Sequence, residues 1–439
     1  MPNPVRVPDD TSSLHAIGNF IMSYQPYQNA FLNALVNRIG RTIVTSKMWN
    51  NPWARFKRGY MEFGETVEEI FVNIAKPHSY DPATAESEVF KREIPDVRAA
   101  FHTMNYQKFY KVTISNDQLR QAFLSWSGIT DLIARIVDSL YTGMRKDEWL
   151  VMKYMMCREL LNGGFYPVQV DAIATDATDA VAKFRQYTNL LTFLTSQYNR
   201  AGVETYTDVA DQAIFVSAEA EAVIGVNVLA DSFNMSQVDY LGQRVLVDSW
   251  QFTTGDTARL AEIFAGDPSY EPISGGDLTT LQNVVATKVD ASPDGGWFMV
   301  FDNFENFTQN YNGEGLYWQY WYHAWKTFSV SPFANAVAFY AGASEITNVA
   351  VTPATADVYV GQSIQMSATV TGSGLIDKSV TWSVSGSESP THGTTIDPYS
   401  GILHVAADEP AETALTVTAT STMNAAKTGT ATITAKAQA

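Results

Sequence analysis

Cysteine is almost absent from this 439-residue chain: Cys157 is the only one, so no disulfide can form within it. Long apolar runs are missing as well, since no stretch approaches ~18 consecutive apolar residues. The first thirty residues are polar and lack the basic and apolar regions of a signal peptide. We therefore expect neither a membrane-spanning segment nor signal-directed secretion. With 46% hydrophobic and 17% charged residues, the composition fits two or three globular domains.

Positive charge is scarce, because 29 Lys and Arg face 46 Asp and Glu, for a net charge of -17. This balance argues against a broad surface that grips nucleic acid. Residues 1–158 nevertheless carry 19 Lys and Arg against 16 Asp and Glu. Basic residues cluster between Arg38 and Arg58, where Trp49, Trp53 and Phe56 interleave with them. The cluster indicates either an ordinary solvated segment or an arm that binds an acidic neighbour or nucleic acid.

Catalytic motifs are also missing: the sequence has no phosphate-binding loop, dinucleotide fingerprint, zinc-protease motif or nucleophile elbow. The six histidines are scattered without metal-ligand spacing. We expect no catalytic site, no cofactor and no metal, with Cys157 a buried thiol. One enzymatic alternative is a glycan-active protein, in which aromatic residues lie beside Asp302, Glu305 and Glu314. A phage head fibre or a surface adhesin is a third class.

The strongest helical pattern covers residues 129–162, where apolar residues recur three and four apart. Ser127 or Thr130 could cap its start, Asn162-Gly163-Gly164 would end it, and Gly143 could split it. Residues 67–74 and 106–114 favour strands, and the prolines between them forbid a continuous helix. A ribbon with so few apolar residues would need support, so we expect it to lie on another subunit.

The middle of the chain has a mixed pattern. We predict helices near 181–194 and 221–233, strands at 213–216 and 244–247, and turns across 253–296. Residues 297–328 hold thirteen aromatic residues. Between Leu316 and Val330 the apolar residues alternate as in a strand, but a helix would align Tyr317, Trp321 and Trp325 equally well.

The composition changes after Ala341-Gly342-Ala343-Ser344: Arg, Phe and Cys vanish, and Thr, Ser, Ala and Val dominate. About seven short runs then alternate apolar and polar residues between turn signals, which predicts a β-sandwich. Residues 346–433 resemble the bacterial Ig-like group 2 domain through the phrases Val360-Gly361-Gln362, Val380-Thr381-Trp382-Ser383-Val384, Ile396-Asp397-Pro398-Tyr399-Ser400-Gly401 and Leu415-Thr416-Val417. The resemblance implies a core containing Trp382, Val360, Leu415 and Val417, with Gly361 and Gly401 in turns. The short polar linker predicts that this domain unfolds independently of the preceding part.

Four segments resemble the major capsid proteins of short-tailed bacteriophages with small isometric or prolate heads. They are Asn51-Pro52-Trp53-Ala54-Arg55-Phe56-Lys57-Arg58-Gly59 with Thr66-Val67-Glu68-Glu69-Ile70, Val89-Phe90-Lys91-Arg92-Glu93-Ile94-Pro95-Asp96-Val97, Asn234-Met235 before Tyr240-Leu241-Gly242, and Trp297-Phe298-Met299-Val300-Phe301-Asp302-Asn303 followed by Gly315-Leu316-Tyr317-Trp318 and Ser329-Val330-Ser331-Pro332-Phe333-Ala334-Asn335-Ala336-Val337-Ala338-Phe339. The last is the most specific.

This resemblance implies an α+β shell domain with the Johnson fold, which is the HK-ninety-seven-like capsid fold with peripheral and axial domains, followed by the all-β Ig-like sandwich. The shell domain would cover residues 1–341, with an N-terminal arm at 1–54, an extended loop at 55–115, a spine helix at 129–162, an axial domain at about 172–290 and return strands at 297–341. The protein would form hexamers and pentamers of an icosahedral or prolate head in the virion, assembled in the host cytoplasm.

The same resemblance implies the partners. They would be other copies of the chain, a separate scaffolding protein, a portal or connector, and packaged dsDNA without sequence-specific contacts, while the Ig-like domain on the outer surface would brace subunits or bind host-surface glycans. Inter-subunit contacts are expected from charged residues of the matching segments: Arg55, Lys57, Arg58, Glu68, Glu69, Lys91, Arg92 and Glu93.

Overall fold

The computed structural model describes residues 48–61, 66–75, 77, 95–115, 126–173, 177–227, 242–390 and 393–437. These residues form two compact units. The first unit contains the described residues of 48–51, 107–148 and 304–324, and the second contains those of 52–106, 149–303 and 325–437. Most of the expected N-terminal arm, together with Lys91, Arg92, Glu93 and the segment 234–235, lies outside the described residues.

The helices are α1 (Trp126–Asn162), α2 (Ala177–Leu190), α3 (Ala218–Asn227), α4 (Thr254–Ile263) and α5 (Gly275–Leu281). The strands before the C-terminal part are β1 (Thr66–Val72), β2 (Val97–Thr103), β3 (Tyr106–Ser115), β4 (Tyr166–Gln169), β5 (Gln212–Ser217), β6 (Gln243–Val247), β7 (Val284–Asp290), β8 (Phe298–Asn312), β9 (Tyr317–Val330) and β10 (Ala336–Tyr340). Helices with the length and apolar character needed to cross a lipid bilayer are absent from the described residues.

Helix α1 is continuous over 37 residues and passes through Gly143 without a break. It begins at Trp126, so Ser127 and Thr130 lie inside it and neither is the cap that the sequence suggested. Its end follows the prediction: Gly163 has φ +78°, and the Gly164 amide donates to the Glu159 carbonyl over 2.7 Å. This pair of features is the Schellman ending, in which a residue in the left-handed region closes the last turn.

The second unit is built on a five-stranded mixed sheet in the order β4-β10-β7-β5-β6. Every residue of β7 and β10 is buried, as expected for central strands that are covered on both faces. The predicted strands at 213–216 and 244–247 are confirmed as β5 and β6. The predicted helices at 181–194 and 221–233 correspond to α2 and α3, although α2 begins and ends earlier in the chain.

The prediction of turns across 253–296 was wrong, because this segment contains α4, α5 and β7. Both helices start with a capping box. Thr253 accepts from the amide of Asp256, and Ser274 accepts from the amide of Asp277. The Thr, Ser, Asp and Gly residues that resemble turn signals are the residues that begin short helices.

Strands β1 and β2 form an antiparallel hairpin ribbon, which we call the hairpin, with Thr66 opposite Thr103 and Val72 opposite Val97. The sequence predicted β1 and β3 but missed β2. Strand β3, expected to be part of the extended loop, instead belongs to a three-stranded sheet in the order β3-β9-β8. The aromatic segment is therefore a strand pair, which settles the choice that its periodicity left open.

In the first unit, one face of this sheet packs on the middle of α1. Leu140 and Met144 of the helix meet Tyr320, Tyr322 and Ala324 of β9 in one buried cluster. The rings of Tyr141 and Tyr322 lie 4.7 Å apart. The even positions of β9 thus form a core, as the alternation predicted.

The C-terminal part is entirely strand and turn. Its strands are β11 (Glu345–Thr352), β12 (Thr355–Tyr359), β13 (Ser363–Gln365), β14 (Ser367–Ser373), β15 (Val380–Ser385), β16 (Thr395–Ile396), β17 (Ile402–His404), β18 (Ala414–Ser421) and β19 (Thr428–Lys436). The sheet β12-β19-β18-β15 and the pair β11-β14 share one hydrophobic core. We call residues 345–437 the C-terminal module. Gly361 and Gly401 have φ +77° and +71°, which confirms that both occupy turns with left-handed backbone.

Candidate assembly surfaces

The hairpin presents an apolar outer face. Side chains in a strand alternate between faces, and on β1 and β2 one set is exposed throughout. Ile70 is 58% exposed, Val72 62%, Val97 51% and Phe101 65%. Cross-strand pairing places Val72 opposite Val97. A contiguous exposed apolar surface of this kind marks a site for contact with another surface.

The inner face of the hairpin is polar and tied to the second unit. His102 is 2% exposed, and its Nδ1 lies 2.7 Å from the Ser329 hydroxyl while its Nε2 lies 3.1 Å from the Glu69 carboxylate. Ser331 donates to the other Glu69 oxygen over 2.8 Å. The Phe71 ring stacks on Phe333 at 5.5 Å. These contacts fix which face of the ribbon points outward.

The basic segment before the hairpin lies on its own chain. The Arg58 guanidinium donates to three carbonyls, those of Phe298, Pro293 and Gly296, over 3.1, 2.8 and 2.8 Å, and burial lowers its pKa. Lys57 lies 2.6 Å from Asp302. Arg55 is more exposed, contacts the Arg244 carbonyl at 3.3 Å and lies over the Phe56 ring.

Five of the eight charged residues expected at subunit contacts lie among the described residues. Lys57, Arg58 and Glu69 are partly buried and have partners in their own chain, whereas Arg55 is exposed. Glu68 is exposed on the outer face of the hairpin, opposite Phe101. The contacts of all eight with a neighbouring subunit stay a prediction. The sequence reasoning passed over the apolar residues of the outer face, although the alternation of Ile70 and Val72 was a usable signal.

Asp302, a residue of the glycan-active alternative, serves a structural role. Its two carboxylate oxygens accept from Lys57 and from Lys326, whose side chain is fully buried. Lys326 is also the residue that interrupted the apolar alternation of β9, and its ion pair explains how a strand core tolerates it. Both oxygens of the Asp302 carboxylate are thus engaged by contacts within the protein.

In the first unit, the face of the sheet β3-β9-β8 opposite to α1 is exposed. Phe109 is 59% exposed, and its ring lies 5.7 Å from His323. Lys111 lies over Trp321 at 5.6 Å. Mixed aromatic and cationic surfaces are typical of protein interfaces. His323 and Trp321, at odd positions of β9, thus belong to a mixed surface.

The C-terminal module has the core that the sequence predicted. Trp382 is 6% exposed, Leu415 and Val417 are fully buried, and Val360 packs against them. The Cβ of any larger residue at Gly401 would lie 2.8 Å from the Trp382 ring. Trp382 is therefore a packing element of this core.

Two solved structures resemble this fold. The capsid structure of Staphylococcus phage Andhra aligns with a TM-score of 0.54 at 15% identity, covering 70% of this chain and 88% of that one. A chain from the structure of the head fiber and inner core protein gp22 of native bacteriophage P68 aligns equally well, with a TM-score of 0.54 at 14% identity and 69% and 88% coverage. The mixed α and β architecture is therefore one found in phage capsid structures.

Sequence comparisons identify the family. The family model described as Phi29-like phage major capsid protein matches residues 7–340, and the chain belongs to this family. The major capsid protein of Bacillus phage B103 is 36% identical over 411 residues, covering 92% of this chain and 83% of the relative. That of Bacillus phage PZA is 35% identical over 410 residues, with the same coverage. The protein is a structural subunit of a phage capsid and a component of the virion.

The alignments with the two Bacillus phage proteins cover 92% of this chain, which is more than its first 340 residues. The similarity to both proteins therefore continues into the C-terminal module. The family model itself ends at residue 340. The module is thus shared with relatives although it lies outside the part that defines the family.

Proposed function

We propose that this subunit builds a closed icosahedral or prolate head from hexamers and pentamers, with the outer face of the hairpin lying on a neighbouring subunit. The observation that carries the proposal is the exposure of Ile70, Val72, Val97 and Phe101 on a ribbon whose other face is fixed. A two-stranded ribbon is marginally stable alone. A closed assembly covers such a surface on every copy without leaving an open edge.

The Johnson fold is our assignment for the shell domain. The hairpin corresponds to its extended loop, α1 to its spine helix, α2 to α5 with β5 to β7 to the axial domain, and β8 to β10 to the return strands. The order of these elements along the chain supports the assignment. The fit with capsid structures at a TM-score of 0.54 supports the same fold class.

The further partners follow from this role. A separate scaffolding protein would direct assembly, a portal or connector would occupy one vertex, and the shell would enclose packaged dsDNA without gripping it. The net charge of -17 supports weak contact with DNA. Lys57 and Arg58, which have partners in their own chain, are not available as free phosphate ligands.

We assign the C-terminal module to the bacterial Ig-like group 2 domains and place it on the outer surface. There it would brace subunits or bind host-surface glycans. The buried Trp382 and the glycine turns at 361 and 401 support the domain assignment.

Coexpression with a scaffolding protein tests the shell proposal, with electron microscopy as the measurement. The wild-type chain should give closed shells. Phe101→Lys should abolish them, because it replaces the most exposed of the four apolar side chains of the outer face with a charged one, and the protein should remain a folded monomer by circular dichroism and size-exclusion chromatography.

The matched control is Thr66→Lys, which adds the same charge to an exposed position on the polar end of the same face. It should assemble like wild type. Shells of normal yield from Phe101→Lys would contradict the role of the outer face, and a wild-type chain that stays monomeric with scaffold present would overturn the shell proposal itself.

A further inference from the structure

The C-terminal module packs on the shell part of the second unit. Leu375 of the module is 2% exposed and belongs to the core cluster that contains Leu160, Trp297 and Phe298 of the shell part. Lys378 donates to the Leu161 carbonyl over 2.9 Å. A cation at the carboxyl end of α1 is favourable, because the last carbonyls of a helix lack partners and carry partial negative charge.

Two glycines of the shell part allow this close approach. A Cβ on Gly163 would lie 2.8 Å from the Lys378 backbone nitrogen, and a Cβ on Gly202 would lie 2.4 Å from the Tyr399 ring. Both have positive φ, +78° and +62°. The fit between the two parts is therefore tight at two separate points, which a flexible tether would not require.

Tyr399 is presented by a rigid turn. The Asp397 carboxylate accepts from the amides of Tyr399 and Ser400 over 2.9 and 2.7 Å. Burial acts to raise the pKa of Asp397, but these hydrogen bonds and the charge of Arg98 outweigh it, so the net pKa is lowered. The Pro398 carbonyl accepts from the Trp382 amide over 2.8 Å. The turn is thus anchored to the core of the module.

The residue that Tyr399 meets lies near the end of the hairpin at which residues 73–96 join β1 to β2. The Arg98 guanidinium, on β2, lies 4.9 Å from the centroid of the Tyr399 ring. It also donates to the Ala201 carbonyl and, over 3.2 and 3.1 Å, to both Asp96 carboxylate oxygens. Arg98 is therefore shared by the hairpin, the loop at 201–204 and the module.

The opposite strand is connected to the same loop. The Asn73 side chain accepts from the Glu204 amide over 3.2 Å and donates to Asp96 over 3.0 Å. The Asn73 amide donates to the Asp96 carbonyl over 2.9 Å. Both strands of the hairpin are thus tied to the loop at 201–204 through one polar junction at the end where residues 73–96 connect them, and the module covers that junction at Tyr399.

We infer that the C-terminal module holds the end of the hairpin at which residues 73–96 join β1 to β2, through the contact of the Tyr399 turn with Arg98 and Gly202. The module then serves assembly from within the subunit, because it fixes the end of the hairpin from which this connection continues. This inference rests on the proposed role of the hairpin in assembly.

Hydrogen exchange of the full-length, unassembled chain tests the inference, with mass spectrometry of peptides covering 97–103. Tyr399→Ala removes the ring above Arg98, and exchange in this segment should become faster by roughly three- to tenfold. Tyr399→Phe keeps the ring and should exchange like wild type. The matched control is Tyr359→Ala, since Tyr359 is an exposed tyrosine of the module, 54% exposed, on β12.

Exchange in β18 reports whether the module remains folded in each variant. Should Tyr399→Ala unfold the module, Gly202→Ala provides the second test, because it displaces the ring while the module sequence is intact. Unchanged exchange at 97–103 in a variant with a folded module overturns the inference. Equal acceleration in Tyr359→Ala overturns it too.

These outcomes are separate from the shell proposal. Wild-type shells together with unchanged exchange in Tyr399→Ala would leave the shell proposal standing and remove the inference. A wild-type chain that forms no shells would remove the shell proposal, while the exchange data would still decide whether the module holds the hairpin.

Discussion

At the residue scale, three buried lysines show different ways of placing a cation inside a protein. Lys326 pairs with Asp302. Lys153 lies 2.8 Å from Asp248 and donates to the Gln251 carbonyl over 2.9 Å. Lys288, on β7, donates to the neutral Thr188 hydroxyl and the Gln212 side-chain oxygen. Because burial opposes the charged form, the pKa of Lys288 falls to about 7.

This pKa makes stability depend on pH. Between pH 7 and the unfolded value of 10.5, the unfolded lysine holds a proton that the folded one has lost. The free energy of unfolding should therefore rise with pH across this window, by up to about 1.4 kcal/mol per pH unit from this residue. The contribution is lost as the pH falls through 7.

Lys288→Met should remove this part of the slope in chemical denaturation measured from pH 7 to pH 10. The control is Lys146→Met, at an exposed position of α1, and it should keep the wild-type slope. Apart from the substituted lysine, wild type, Lys288→Met and Lys146→Met have the same titrating groups. The difference in slope between wild type and Lys288→Met therefore reports on Lys288. A slope in Lys288→Met equal to that of wild type would contradict the assignment.

At the element scale, the sequence predicts long and strongly periodic segments and misses short ones. Helix α1 and the strands of the C-terminal module follow from repeated spacing. Helix α5 has seven residues, too few for an apolar stripe to repeat, and its capping residues are the same types that form turns. Strand β2 was missed because its covered face is formed by Arg98, Ala100 and His102, which do not stand out as apolar.

The module offers a prediction for a single strand. Trp382→Ala on β15 removes a buried aromatic residue that contacts the Gly401 turn and should lower the free energy of unfolding of the module by ~3–5 kcal/mol. Thr381→Ala, the exposed neighbour on the same strand, should change it by less than about 1 kcal/mol. Chemical denaturation followed by far-UV circular dichroism measures both. Similar losses in the two variants would show that Trp382 is not the centre of this core.

At the scale of the whole molecule, the short linker predicted two independent parts, and the structure shows contact instead. Leu375 packs in the core of the shell part and Lys378 binds the end of α1. Composition marks the boundary correctly, because it changes where the fold changes. It carries no information about packing across the boundary, since that depends on residues far apart in the chain, such as Gly202 and Tyr399.

A chain truncated after Ala341 tests this coupling. Its shell part should unfold at a lower temperature than in the full chain, because the core loses Leu375. Leu375→Ala in the full chain should reproduce part of the shift, in line with a loss of ~2–5 kcal/mol for a buried leucine. Differential scanning calorimetry is the measurement. Equal transition temperatures for the truncated and full chains would mean that the contact contributes nothing to stability.

The assembly surface was predictable in part. The sequence predicted strand β1 of the ribbon, while the contact with a neighbour and the charged contact residues stay predictions. It could not tell that Lys57 and Arg58 bind their own chain, because their partners are Asp302 and backbone carbonyls more than two hundred residues away. The apolar outer face became visible only once β1 and β2 were paired in register.

The single cysteine of this protein has a practical consequence. Cys157 is fully buried in α1, and burial raises the pKa of its thiol to about 12. At neutral pH it is neither ionised nor reachable, so thiol-reactive reagents find no target on the folded subunit. A cysteine introduced on the outer face of the hairpin would then be the one position that takes a fluorophore or a crosslinker. The native sequence thus allows site-specific labelling of the shell without prior removal of a reactive cysteine.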